Sequence, residues 1–316
     1  MWGLSCYGRC WGIGVKPNLF IVGAPKCGTT AWVEYLSAHP DIEFGAVKEP
    51  HYFCSDFPRM AQVATLDEYL ALFKRSDARI VGEASVLYLY SEAAPRQIWD
   101  FNPDAKIIIL LRNQEEFLPS FHNQLCLNFQ ESIQDFELAW KLSGQRTAES
   151  IPDACKVEKQ LNYKDMGRFS KYSKRYFDVF SSDQIRVIHY DDWVENTRGA
   201  YCQILDFLGV EDDGRSEFPR INVRARHRHV GIARFLQRPP RPVEHSVEFL
   251  HKSFGVRSFG IAAAVEKLNR RVGADQDISS ELKEEIRRYY RDDIDRLKGL
   301  ISNPCNRPRR RDATAS

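Results

Sequence analysis

The chain of 316 residues is long enough for one large α/β domain or two small ones, and 43% hydrophobic residues can fill a core. Lys+Arg 45 against Asp+Glu 43 leaves a net charge of +2, which excludes a global electrostatic pull toward nucleic acid or a membrane surface. No apolar run approaches the roughly 18 residues of a membrane span, Met1 to Pro17 lacks a compact signal-peptide core, and the scattered cysteines form no dense disulfide framework, so the chain reads as cytoplasmic.

Residues 1–17 show no periodicity and read as an N-terminal extension, ahead of one domain over 18–302 and a basic, disordered tail over 303–316. Leu19-Phe-Ile-Val-Gly23 suits a buried parallel strand, and the turn that follows holds Pro25, Lys26, Cys27 and Gly28. Thr29 and Thr30 are placed to cap a helix carrying Trp32, Tyr35 and Leu36, whose first N–H groups and positive dipole end attract an anion. Gly23 and Gly28 keep the glycine spacing of a Walker loop, but Thr29 stands where its lysine belongs and Lys26 lies inside the turn. Handling of ATP as in a kinase is therefore disfavoured.

His39-Pro40 stops the first helix, and Ile42 to Val47 is short and extended. Pro50 keeps Glu49 out of helical geometry, and in an extended segment Glu49 and His51 point to one side, presenting a carboxylate and an imidazole together. Thr65-Leu-Asp-Glu68 opens a capping-box helix through Phe73, and Arg79 to Glu83 is a second core strand. Glu83 either supports the site or pairs with a core arginine. Ala93 to Phe101 is a helix, and Lys106-Ile-Ile-Ile-Leu-Leu111 is the strongest buried strand. It ends in Arg112, where a Walker strand would end in an acid that holds Mg²⁺, so a second anion site is favoured over a metal site. Further helices span Ser132 to Leu142, Phe169 to Phe180 and Thr197 to Leu208, with a strand over Gln184 to Tyr190. Val210 to Pro242 reads as an irregular flap, and Leu282, Ile286, Tyr290, Ile294 and Leu297 mark a terminal helix docked by one face. This alternation predicts an α/β fold with a mostly parallel central sheet flanked by helices, whose ligands sit at the carboxyl ends of the strands.

From about Asn18 to about Gly209 the chain resembles the sulfotransferases that use 3′-phosphoadenosine 5′-phosphosulfate (PAPS), in the branch of heparan-sulfate-type and bacterial enzymes with a P-loop-like fold. Gly23-Ala-Pro-Lys-Cys-Gly-Thr-Thr30 is similar to that family's 5′-phosphosulfate loop, which implies donor contacts from Pro25, Lys26, Cys27, Gly28, Thr29 and Thr30. Leu110-Leu-Arg-Asn-Gln-Glu-Glu-Phe-Leu-Pro-Ser120 resembles its 3′-phosphate motif, implying Arg112 and Ser120. Lys48-Glu-Pro-His-Tyr-Phe53 resembles the segment of the catalytic base, implying Glu49, with His51 as its partner or the base itself. The family also brings a basic loop over the 3′-phosphate, where this chain has Arg224 and Arg226. Ala84 stands where related glycan enzymes carry a lysine, a departure that weighs against a glycan-polymer acceptor.

A donor with phosphates at both ends of a ribose accounts for two anion sites in one chain. The resemblance implies transfer of the sulfuryl group from PAPS to a hydroxyl, or less readily an amine, of a carbohydrate or small molecule. The product is 3′-phosphoadenosine 5′-phosphate (PAP), and no metal, nucleic-acid or membrane partner is implied. The rival readings are an ATP-dependent small-molecule kinase and a catalytically silent nucleotide-binding or interaction module on the same fold.

Overall fold

The computed structural model describes residues 15–74, 77–221 and 278–302, together with the backbone of short strands at 225–227 and 270–272. The domain assigned to 18–302 contains two compact units. The first comprises the described parts of Met1–Asn113, Phe169–Phe218 and Asp292–Ser316, and the second those of Gln114–Arg168 and Pro219–Arg291.

Five parallel strands form the heart of the first unit: β1 (Leu19–Gly23), β2 (Ile42–Phe44), β3 (Ile80–Ala84), β4 (Lys106–Leu111) and β5 (Ile185–His189), in the spatial order β2-β3-β1-β4-β5. Leu19 to Val22 and Ile107 to Leu111 are 0% exposed, because a parallel sheet with helices on its faces buries both sides of its central strands. This is why those strands read as continuous apolar runs. The helices of this unit are α1 (Thr29–Ser37), α2 (Leu66–Leu70), α3 (Ala94–Phe101), α7 (Phe169–Phe177), α8 (Tyr190–Glu195) and α9 (Thr197–Leu208).

The strand order locates the ligand crevice. From β1 the chain turns toward β2 and β3, and from β4 it crosses to β5 on the other side. β1 and β4 are neighbours whose outgoing connections diverge, which is the switch point where open α/β sheets bind ligands. The turn after β1 and Arg112 after β4 flank it.

The second unit contains α4 (Gln114–Leu127), α5 (Phe136–Lys141), α6 (Tyr163–Met166), the antiparallel pair β6 (Ala225–His227) and β7 (Arg270–Val272), and the first turns of α10 (Ser280–Ser302). Its buried charge is paired: Glu131 binds Arg146 at 2.6 Å and accepts from the Tyr163 hydroxyl at 2.9 Å. Leu282, Ile286, Tyr290 and Leu297 of α10 are buried as their spacing predicts, but Ile294 is only half-buried. Asp293 is buried beside it and accepts from the Ser170 N–H at 3.1 Å.

Several boundaries differ from the sequence expectation. α2 ends at Leu70 before reaching Phe73, although its Thr65–Glu68 capping box is present. α5 starts at Phe136 because the Asp135 carboxylate caps it, accepting from Leu138 N–H at 2.8 Å. α6 and α8 were not anticipated, and of the proposed flap only 210–221 and the β6 backbone are described. Among the described residues, no helix is long and apolar enough to cross a membrane.

Candidate active site

The turn after β1 takes its shape from places where a side chain does not fit. Gly23 has φ +144, and a Cβ there would stand 2.7 Å from the Val86 carbonyl oxygen and 2.9 Å from Leu89 Cβ. Gly28 has φ +88, and its Cβ would meet Trp193 of α8 at 2.4 Å. Both positions require glycine by conformation and by space. Ala24 N–H bonds the Leu110 carbonyl at 2.6 Å, pinning the turn to β4, and Lys26 sits at its bend in the left-handed region, φ 62. The expected threonine cap is absent: left-handed Gly28 is the N-cap of α1, Thr29 and Thr30 are its first helical residues, and no side chain caps the end. The opening N–H groups of α1 are thus left to the turn, which suits an anion. Pro25, Cys27 and Thr29 are buried, and Lys26, Gly28 and Thr30 partly exposed.

Arg112 follows β4 directly and is 9% exposed. Its guanidinium lies 4.5 Å from the centre of the Tyr190 ring, and Asn113 next to it donates to Asp191 at 2.6 Å, so α8 forms one wall here. Burial pushes the Cys27 thiol far up, against the pull of Arg112 and then Lys26, with Asp191 adding to the rise. Cys27 is thus a buried packing residue of the turn. Ser120 is buried on α4. Arg224 lies outside the described residues, and Arg226 belongs to β6, of which only the backbone is described.

The segment Lys48 to Phe53 brings the carboxylate and the imidazole together, by a different backbone from the extended one expected. Glu49 and His51 both occupy the left-handed region, φ 60 and 52, uncommon for residues other than glycine. Three N–H groups hold the segment on the end of β3: Glu49 to the Ala84 carbonyl at 3.0 Å, His51 to Ser85 Oγ at 3.1 Å, and Phe53 to the Tyr88 hydroxyl at 3.1 Å. His51 is 1% exposed, and its Nε2 lies 3.5 Å from Glu49 Oε2, within ion-pair reach but longer than an ordinary hydrogen bond. Burial raises the Glu49 carboxyl, but the His51 ring and the Lys48 ammonium outweigh it and hold the group below the usual carboxylate range.

Lys48 is the residue that sequence reasoning missed. Its Nζ donates to Thr30 Oγ1 at 2.8 Å and reaches Glu49 Oε1 at 3.1 Å, so one ammonium joins the anion corner to the carboxylate. The adjacent Lys48-Glu49 pair was the available signal. Glu83 meets hydroxyls in place of the arginine considered for it: Tyr69 donates to its Oε2 at 3.2 Å, and Ser85 and Tyr88 also favour its ionised form. Burial nevertheless dominates and pushes it up to about 7.

The family model described as "Sulfotransferase domain" matches residues 16–222. Carbohydrate sulfotransferase 15 of Rattus norvegicus is 22% identical over 258 residues, covering 65% of this chain and 46% of that protein. Heparan sulfate glucosamine 3-O-sulfotransferase 6 of Mus musculus is 32% identical over 210 residues, covering 62% and 53%. The chain therefore spans about half the length of the curated relatives it matches. Among solved structures, a sulfotransferase from Alicyclobacillus acidocaldarius aligns with a TM-score of 0.63 at 26% identity, over 91% of this chain and 96% of that one.

Proposed function

The chain belongs to the sulfotransferase domain family, and from that premise we propose that it transfers the sulfuryl group of PAPS to a hydroxyl of a carbohydrate or small-molecule acceptor, releasing PAP. The observation that carries this reading is the Lys48 bridge, Thr30 on one side and Glu49 on the other, which joins a phosphate-type corner to a proton acceptor in one hydrogen-bonded unit. Transfer to a hydroxyl needs both at once. A kinase reading lacks support at two positions: Thr29 opens α1 where a Walker lysine would stand, and buried Arg112 packs on Tyr190 where a Mg²⁺-binding acid would end the strand.

The turn fits the 5′ end of such a donor, because the start of α1 has no side-chain cap and its opening N–H groups suit an anion. When bound, PAPS supplies an activated sulfuryl group on a phosphate leaving group. In this reading Pro25 to Thr30 hold the 5′-phosphosulfate, and Lys26 neutralises charge on the oxygen that leaves. Arg112 is assigned to the 3′-phosphate, joined by Ser120 and by Arg224 and Arg226 on the sequence motif alone. Glu49 accepts the acceptor's proton, while His51 orients the carboxylate and the Lys48 ammonium keeps it ionised. The names of the relatives favour a carbohydrate hydroxyl, and Ala84 in place of a lysine favours a short acceptor over a polymer.

The test is thermal unfolding with PAP or ATP, with and without Mg²⁺, followed by transfer of labelled sulfate from PAPS to a panel of mono- and oligosaccharides. PAP at 100-fold over its Kd should stabilise the protein by about 2.7 kcal/mol, and ATP with Mg²⁺ by much less. Stabilisation by ATP alone would overturn the reading in favour of a kinase, and PAP binding with no transfer to any acceptor would favour a silent module. Arg112→Ala should weaken PAP binding by about 10- to 150-fold, the loss of a charge-assisted contact worth roughly 1.5–3 kcal/mol, with calorimetry as the measurement. Unchanged PAP affinity would remove Arg112 from the site.

A further inference from the structure

The segment Lys48 to Phe53 is held from two sides. Its N–H groups reach the end of β3, and its carbonyls turn to the loop that follows. The Cys54 thiol donates to the His51 carbonyl at 3.2 Å, the Gln62 N–H donates to the Pro50 carbonyl at 2.9 Å, and the Gln62 side-chain amide donates through Nε2 to the Glu49 carbonyl at 2.8 Å. The Lys48 carbonyl lies 3.4 Å from the same nitrogen, a longer contact. The loop between is coiled on itself, with Phe57 N–H on the Cys54 carbonyl at 2.8 Å and Met60 N–H on the Phe57 carbonyl at 2.9 Å, and it runs into the Thr65 cap of α2. Ser85, Tyr88 and Cys54 are buried, whereas Gln62 is exposed.

Pro50 is what makes the Gln62 side chain matter. A peptide plane is fixed by what its N–H and its carbonyl bind, and the Glu49–Pro50 peptide has no N–H. Its carbonyl is the one polar handle it offers, and that carbonyl bonds Gln62 Nε2. A proline also pushes the residue before it toward extended backbone, yet Glu49 stands in the left-handed region at φ 60. Such a conformation persists only where its surroundings over-determine it. The peptide before Glu49 is held by the Ala84 carbonyl at 3.0 Å and the peptide after it by Gln62, so the two together set where the carboxylate points. It points between Lys48 Nζ at 3.1 Å and His51 Nε2 at 3.5 Å.

We propose that Gln62 is a positioning residue for proton transfer: its side-chain amide holds the Glu49–Pro50 peptide and so keeps the Glu49 carboxylate between the Lys48 ammonium and the His51 ring. The inference rests on the reading that Glu49 takes the acceptor's proton, and it adds a residue that acts only through the backbone of the base. The alternative is a surface glutamine that tethers its loop and matters only to stability.

Gln62→Met separates the two. It keeps the length of the side chain and the backbone N–H to Pro50, and it removes only the side-chain donors. With labelled sulfate from PAPS and a saccharide acceptor, kcat should fall about 5- to 50-fold, with the PAPS KM and PAP affinity within about twofold of wild type. The rising limb of kcat/KM should move to higher pH, because a carboxylate that drifts from the His51 ring and the Lys48 ammonium loses the partners that hold it low. The site is exposed, so the melting temperature should stay within about 4 °C. On a Glu49→Gln background, Gln62→Met should change kcat by less than about twofold, since no carboxylate is left to aim. Gln62→Glu sets a carboxylate against the same carbonyls and serves as the second variant, with the same split between kcat and KM. A lower melting temperature with unchanged kcat and an unmoved limb overturns the proposal, as does an equal loss of kcat with and without Glu49→Gln. If Glu49→Gln loses activity while Gln62→Met turns over normally, this inference fails alone. If wild-type protein neither binds PAP nor consumes PAPS, the functional reading fails and takes the inference with it.

Discussion

Lys26→Ala is expected to lower kcat by about 10²–10³-fold while PAP still binds, its affinity reduced no more than about tenfold. The asymmetry follows from when the charge is needed. On the proposed function, the 5′ end of the donor is held in the ground state by the backbone of the turn and the opening of α1, features that an alanine leaves in place because Lys26 already sits in the left-handed region as a residue with a Cβ. As the sulfuryl group departs, negative charge grows on the phosphate oxygen left behind, and only a cation inside the turn meets it. An interaction that strengthens toward the transition state appears in kcat, and one present throughout appears in binding. The backbone of the turn and the uncapped opening of α1 remain in the variant, so the loss stays short of complete. Single-turnover transfer of labelled sulfate and calorimetry with PAP check the two halves. Normal turnover in the variant would remove Lys26 from the chemistry, and loss of PAP binding with unchanged kcat would make it a binding residue only.

The parts of this molecule legible in its sequence are those in which local pattern and tertiary demand coincide. β4 occupies Lys106–Leu111 as read, because a strand buried on both faces must be apolar without interruption. α9 occupies Thr197–Leu208 as read, because Gly209 ends it in the left-handed conformation at φ 75. The start of α1 was misjudged by one rule competing with another. Thr29 and Thr30 are good caps, but Trp193 packs against Gly28, and the glycine takes the cap position.

The segment Lys48 to Phe53 shows a different kind of failure. Glu49 and His51 were expected to meet because an extended chain points alternate residues to one side. They do come together, at 3.5 Å, on left-handed backbones that no local propensity favours. What imposes that shape is the row of acceptors at Ala84, Ser85 and Tyr88, more than thirty positions away, and a single sequence offers no sign of which acceptors a segment will find. Lys48 had a local signal in its neighbour Glu49, but its other partner Thr30 comes beside it only after β1 and β2 have both paired with β3. Glu83 was visible as a charged residue in an apolar strand, but not its ring of hydroxyls in place of an arginine.

Glu49→Gln is expected to cost about 10²–10⁴-fold in kcat with the PAPS KM unchanged, the range of a lost general base. Its pH dependence distinguishes it from His51→Ala. A base works in its deprotonated form, so activity rises with pH through the pKa of the group that accepts the proton. The Glu49 carboxyl is held below the usual carboxylate range by the His51 ring and the Lys48 ammonium acting against burial. The rising limb of kcat/KM in the wild type therefore belongs at acidic pH, with a plateau through neutrality. Glu49→Gln should abolish that limb. His51→Ala should keep it and move it upward, because the variant loses a partner that lowers the carboxyl's pKa while the burial that raises it remains. The alternative assignment makes His51 the base, and the limb then disappears in His51→Ala. A limb that survives in Glu49→Gln and vanishes in His51→Ala would exchange the two roles. Lys48 then becomes the informative third position: its ammonium touches the Glu49 carboxylate and not the His51 ring. Lys48→Met shifts the limb upward only if that carboxylate is the group being titrated.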